Sequence, residues 1–221
     1  MRWFWGSGIA MVLAVASACG GGEKAAPSLS DADLKAIVMM TSEGLPWTLV
    51  PQSDSAVSNE ESAQPFADPT KWLDNYRKWG RTGGHMATFG VTGGNVVQAQ
   101  VESYESAGGA KKALAGVRDF MISGEALHAY ANLGYTDVKI EVMDAAKIGD
   151  DSSAYRLVVS MNGTPFDTLV IMFRRGAVLA QASVGAAPDT TGSADVEALA
   201  NQMDARIQAV LSGQAATPQS T

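Results

Sequence analysis

Cysteine is almost absent from this chain. With Cys19 as the one thiol, no intrachain disulfide can form and no Cys-based metal cluster can be assembled. Histidine is nearly as rare. His85 and His128 stand isolated in their segments and do not make a metal site between them, so neither a metal nor another cofactor is implied. Positive charge is scarce too: 16 Lys and Arg face 23 Asp and Glu, for a formal charge of −7. Adjacent basic residues occur as isolated pairs, Lys111-Lys112 and Arg174-Arg175 among them, and build no basic stripe. Nucleic acid is therefore excluded as a partner, because phosphate contacts need clustered Lys and Arg.

Catalytic motifs are missing as well. Ser42, Ser123 and Ser183 have no G-x-S-x-G context, which a nucleophile elbow requires. Asp150-Asp151 lacks the D-x-D-x-D continuation of a Ca²⁺ loop and reads as a solvated turn. Gly90-Val91-Thr92-Gly93-Gly94 joins one strand pattern to the next, whereas a phosphate cradle leads into a helix N-terminus. No catalytic residue is assigned.

Apolar residues in a run are found at the start of the chain. Met1-Arg2 is followed by the apolar stretch 8–16 and by the small residues Ser17-Ala18 before Cys19. That three-part layout is a secretory signal peptide, too short for a transmembrane helix, which needs roughly 20 apolar residues. Ala16-Ser17-Ala18-Cys19 resembles the lipobox of bacterial lipoproteins, with Ala16 where that family usually carries Leu. The resemblance implies cleavage before Cys19 and a diacylglyceryl group on its sulfur. It further implies palmitate-type acyl chains that hold the mature protein to a membrane, on the extracytoplasmic side of the cell envelope. Two or three chains suffice, since each buried CH₂ contributes about 0.8 kcal/mol. Gly20-Gly21-Gly22 suits a flexible tether.

The boundaries that follow are a signal peptide at 1–18, Cys19 and its tether to 29, one domain over 30–212 and a disordered tail at 213–221. Within the domain, Ser30 and Asp33 start a helix with Leu34, Ile37, Val38 and Thr41 on one face, ending by Gly44. Residues 47–50 read as a short strand, and the polar stretch 51–67 as a mobile loop. Asp68-Pro69 opens a helix that Gly80 closes. Strands are expected over 85–91 and 96–104, the latter alternating Val97, Ala99 and Val101 with Gln98, Gln100 and Glu102, so one sheet face is wet there. Ser106 caps a helix carrying Ala110, Ala113, Leu114, Val117 and Met121 on one face, and 125–133 makes a short one. In the strand 138–143, Val138, Ile140 and Val142 face inward.

The domain is organised around three consecutive strands, 154–161, 166–174 and 178–184. Asn162-Gly163 and Arg175-Gly176 make the turns, and an Asn-Gly pair adopts φ > 0 cheaply, as a tight hairpin requires. Residues 169–173 are apolar at every position, which marks a strand covered on both faces. Ser193 caps a closing helix with Val196, Leu199, Ala200, Met203, Ile207, Val210 and Leu211 on one face. The fold class is α+β: a mainly antiparallel sheet of about five to seven strands, with helices packed largely on one face.

Trp72, Tyr76 and Trp79 recur at i, i+4 and i+7, three rings along one helical face. Such a stripe is either core or the wall of a groove for sugars, cations or peptides. With Gln98, Gln100 and Glu102 beside it, a groove between the aromatic helix and the sheet is expected, and Arg81 at its rim would orient a ligand. The alternating strand ending in Tyr104, the Ser106-capped helix, the strand meander and the closing helix are similar to extracytoplasmic domains of bacterial lipoproteins. Among these are sensor-type ectodomains of actinobacterial kinases. The resemblance implies this fold and an extracytoplasmic location. The function favoured for the chain is a lipid-anchored, non-enzymatic module that binds a small molecule, glycan or protein. An envelope hydrolase or transferase, and a structural envelope protein, are the alternatives.

Overall fold

An unbroken ladder of antiparallel pairs runs through the computed structural model, which describes residues 26–91, 95–132, 134–161, 163–186 and 192–214. Cys19, the signal peptide, the tether as far as residue 25, residues 92–94, Asn162 of the expected Asn162-Gly163 turn, residues 187–191 and the expected tail from 215 lie outside the described residues. In chain order the elements are α1 (Asp31–Val38), β1 (Leu49–Val57), α2 (Asn59–Ala63), α3 (Pro69–Trp79), β2 (Arg81–Val91) and β3 (Val96–Tyr104). They continue with α4 (Ala107–Ile122), α5 (Gly124–Asn132), β4 (Thr136–Met143), β5 (Asp151–Met161), β6 (Thr164–Arg175), β7 (Val178–Ala186) and α6 (Ser193–Leu211). The seven strands form one sheet in the order β1-β2-β3-β7-β6-β5-β4. Every neighbouring pair is antiparallel.

One face of the sheet carries the main core. Val97, Ala99 and Val101 of β3 line up with Val184, Ala182 and Ala180 of β7, and these with Leu169, Ile171 and Phe173 of β6. Leu34, Ile37 and Val38 of α1 and Val196, Leu199, Ala200, Met203 and Ile207 of α6 cover them. Burial of each such large side chain contributes roughly 1.5–3 kcal/mol. Arg206 of α6 reaches the end of α1 and donates to the carbonyls of Ala36 and Met39, which satisfies orphan acceptors there. α1 ends at Val38, short of Thr41 and Gly44. The N-cap of α6 is Gly192, whose N–H donates to the Asp195 carboxylate at 3.3 Å, one residue earlier than the expected Ser193.

The other face is covered by a second helical layer. Ala110, Ala113, Leu114 and Met121 of α4 pack on Tyr104, Tyr155, Met172 and Leu179, while α2 and α3 close on its outer side. The α+β class and the antiparallel sheet are as the pattern predicts, whereas the helices divide between both faces. β6 needs this: with an apolar residue at every position from 169 to 173, either face left open would expose a row of them.

Three further segments differ from expectation. Residues 51–67, read as a loop, form most of β1 and all of α2. β1 is polar because it is an edge strand buried only at Leu49, and Pro51 sits at a register shift, where a residue without an N–H is tolerated. Ser58 caps α2: its hydroxyl accepts from Glu61 N at 3.1 Å and its own N–H donates to the Glu61 carboxylate at 2.8 Å, a complete capping box. In β4, the opposite edge, Val142 points outward and is 66% exposed. Finally, the last residues of the expected tether are held to the domain: Ala26 N donates to Glu105 O at 3.0 Å, and Leu29 packs on the main core.

Candidate functional site

The wet side of β3 becomes the floor of a cleft. Pairing across the sheet aligns Met86, Gln100, Gln181 and Met172 in one rung, and Thr88, Gln98, Ser183 and Val170 in the next. α4 covers β6 and β7 but leaves this strip open, so a cavity of about 400 Å³ remains between sheet and helices. That volume lies within the range of small-molecule sites, about 300–1,000 Å³. Phe66, Tyr76, Phe120 and Tyr130 supply aromatic walls from the segment after α2 and from α3, α4 and α5.

Behind the wall lies an aromatic stack. Phe66 stacks on Trp72 with ring centroids 3.8 Å apart, and Phe120 meets both edge-on. Trp72 and Tyr76 are buried, and Trp79 is half-buried. The end of α3 approaches α4 closely because α4 has glycines there. A Cβ on Gly109 would stand 2.1 Å from the Trp79 carbonyl, and one on Gly116 2.6 Å from the Trp79 ring. Asp68 caps α3 by accepting from Lys71 N at 2.9 Å, and Gly80 ends it at φ 71°, a conformation glycine adopts at little cost.

At one end of the floor sits a buried charge pair. Glu102 Oε1 lies 3.2 Å from Arg81 Nε, a charge contact and not an aligned hydrogen bond. Tyr104 donates its hydroxyl to Glu102 Oε2 at 2.6 Å, and Gln100 donates an amide N–H to Oε1 at 3.3 Å. Arg81 also donates to Asn59 Oδ1 at 2.7 Å and to the Val57 carbonyl at 3.2 Å, and its guanidinium lies over the Tyr76 ring. Gly84, the cross-strand partner of Glu102, makes the room: a Cβ there would be 2.5 Å from Arg81 Nη2. Burial, then the charge of Glu102, pushes the Tyr76 and Tyr104 hydroxyls well above the ordinary tyrosine range, so both stay neutral donors.

Of the residues singled out from the sequence, Tyr76 lines the cavity. Trp72 stands behind the wall in the stack, and Trp79 lies against Gly116. Arg81 is not at a rim: its side chain is 0% exposed and bound on three sides. The sequence pattern does not single out Phe66 or Phe120. The first is the only aromatic in a polar stretch, and the second lies at the edge of the apolar stripe of α4, seven residues after Ala113.

The other candidates are placed elsewhere. His85 lies on the opposite face, buried, with Nδ1 3.1 Å from Asp31 and Nε2 3.4 Å from Asp54. His128 Nδ1 bonds the Gly124 carbonyl of its own helix. Asp150 and Asp151 diverge: Asp150 accepts from Arg174 and Gly176 N, Asp151 from Arg118. Among the described residues no cluster of three His, Cys, Asp or Glu could hold a metal ion, and no helix is long and apolar enough to cross a membrane.

An antiparallel sheet layered by helices on both faces, with an open cleft under the second helical layer, defines the class of fold. No protein-family model matches the chain, and no curated protein matches it. Among solved structures, the chain is similar to the extracellular domain of PknH from Mycobacterium tuberculosis. The TM-score is 0.53 at 11% identity, covering 85% of this chain and 99% of that one. At that identity the likeness is one of fold.

Proposed function

We propose that this protein is a lipid-anchored extracytoplasmic module of the bacterial envelope that binds a small ligand without transforming it. The observation that carries the reading is the cleft, with apolar and aromatic walls over a floor of convergent amides. The histidines support it, since both are bonded away from the cleft and neither is paired with a hydroxyl. The pattern ending in Cys19 supports the anchor, and the fold shared with an extracellular domain suits the location.

Binding is tested by titrating the full-length protein with N-phenyl-1-naphthylamine, a fluorescent apolar probe that accepts energy from tryptophan. A saturable one-to-one rise is expected, abolished in a Val170→Trp variant that fills the cleft. A rise that survives in the folded variant would overturn the assignment. Cys19→Ser tests the anchor: the variant should leave the membrane fraction, and wild-type fractionation would refute lipidation.

A further inference from the structure

Resting on that cleft as the binding site, we infer that its occupant is an uncharged amphiphile: an apolar body carrying a neutral hydroxyl or amide group. The argument is a charge balance around the cavity. Among the described residues lining it there is no Lys, Arg or His. Arg81, beyond Glu102 at one end of the floor, has a fully buried side chain and commits its guanidinium to Glu102, Asn59 and Val57. An anion entering the cleft would lose its hydration and meet no partner charge.

A cation fares little better. Of the two carboxylates at the cavity, Glu102 is neutralised from behind by Arg81 and receives hydrogen bonds from Tyr104 and Gln100. Glu61 is turned back to the Ser58 N–H and hydroxyl, both at 2.8 Å, as part of the α2 cap.

The groups the cleft leaves unpaired are neutral. The side-chain amide of Gln181, in the middle of the floor, makes no hydrogen bond with any described residue. The hydroxyl of Ser62, at the cavity wall, is buried without a partner. Buried polar atoms are nearly always bonded in native proteins, so an unmatched hydroxyl beside an open cavity marks a place for a ligand group. Met86 and Met172 at the two ends of the Gln100–Gln181 rung are pliable, and suit an apolar body with an irregular outline.

The test compares two probes with one skeleton: N-phenyl-1-naphthylamine, uncharged, and 8-anilinonaphthalene-1-sulfonate, which adds a single negative charge. Wild-type full-length protein should bind the amine at least about tenfold more tightly, because the sulfonate must shed water without gaining a partner. Gln181→Arg places a cation on the floor and should reverse that preference, and Gln98→Arg is the second variant, each checked for folding by its melting curve. If the wild type binds the sulfonate as tightly as the amine, the charge inference is overturned and the cleft stands. A folded arginine variant that leaves the preference unchanged overturns the charge inference equally. Binding of neither probe overturns the cleft reading itself, and this inference with it.

Discussion

Replacing Arg81 by Met should unfold the cleft end of the molecule more than any single change on its walls. The Arg81 side chain is 0% exposed and that of Glu102 10%, so water screens the pair very little. At 3.2 Å and an effective dielectric of about 20, their attraction is roughly 5 kcal/mol. Removing the cation leaves a buried carboxylate with only the Tyr104 and Gln100 donors, and breaking such a pair from one side costs about 3–5 kcal/mol. The melting temperature should therefore fall by roughly 6–20 °C, at about 2–4 °C per kcal/mol for a domain of this size. In Arg81→Met/Glu102→Gln, the uncompensated charge is gone and most of the loss should be recovered. Differential scanning calorimetry of the wild type, both single variants and the double variant supplies the cycle. A melting temperature for Arg81→Met within about 2 °C of wild type would refute the buried pair, since that is under 1 kcal/mol. Additive losses in the double variant would refute the coupling.

Ile171→Asp, on the main core face at 3% exposure, should prevent folding, while Val170→Asp, half-buried at the cleft, should leave a folded protein with weakened probe binding; circular dichroism separates the two. Gly116→Val should cost about 1–3 kcal/mol, because its Cβ would meet the Trp79 ring, and should shift tryptophan emission to the red. Acid should destabilise the domain. Asp33 is held below the carboxylate range by Ser30, Asp54 by Lys35 and then His85, and Glu61 by Ser58. A carboxylate depressed in the folded state stabilises above its unfolded value, and that contribution is lost as pH falls through the folded one. Melting temperatures should hold from pH 7 to about 5 and drop below about 4; a flat profile to pH 3 would contradict the assignment.

The meander is legible in the sequence because residue chemistry and geometry coincide there, although its second turn falls one residue later than expected, at Gly176-Ala177, since Arg175 still pairs with Val178. Gly163 and Gly176 adopt φ of 78° and 56°, and the apolar run of β6 has the main core on one face and, on the other, the α4 layer with the cleft beside it. The polar alternation of β3 is legible too: Gln98, Gln100 and Glu102 line the cavity, as does Tyr76 of the aromatic helix, whereas Trp72, Trp79 and Arg81 do not. β1 is not legible, since a strand at the sheet edge buries almost nothing and carries no apolar period. The partner of Arg81 is not legible either, because Glu102 is brought to it only by the register of β2 and β3. Each place nevertheless carries a local signal. Ser58 with Glu61 spells a helix start inside the polar stretch, and Gly84, three residues after Arg81, marks a close approach.

The reading of the cleft as the ligand site is tested most directly by methyl NMR, because the chain carries 10 methionines well distributed for the purpose. Met86, Met121 and Met172 line the cavity, whereas Met40 and Met203 are buried in the core on the far face of the sheet. With N-phenyl-1-naphthylamine added to the ¹³C-methyl-labelled protein, the first three resonances should shift together along one saturable curve, and the last two should stay in place. Shifts confined to Met121, which also borders the exposed apolar patch of Ile122, Leu127 and Val142, would put the ligand outside the cleft and contradict the account.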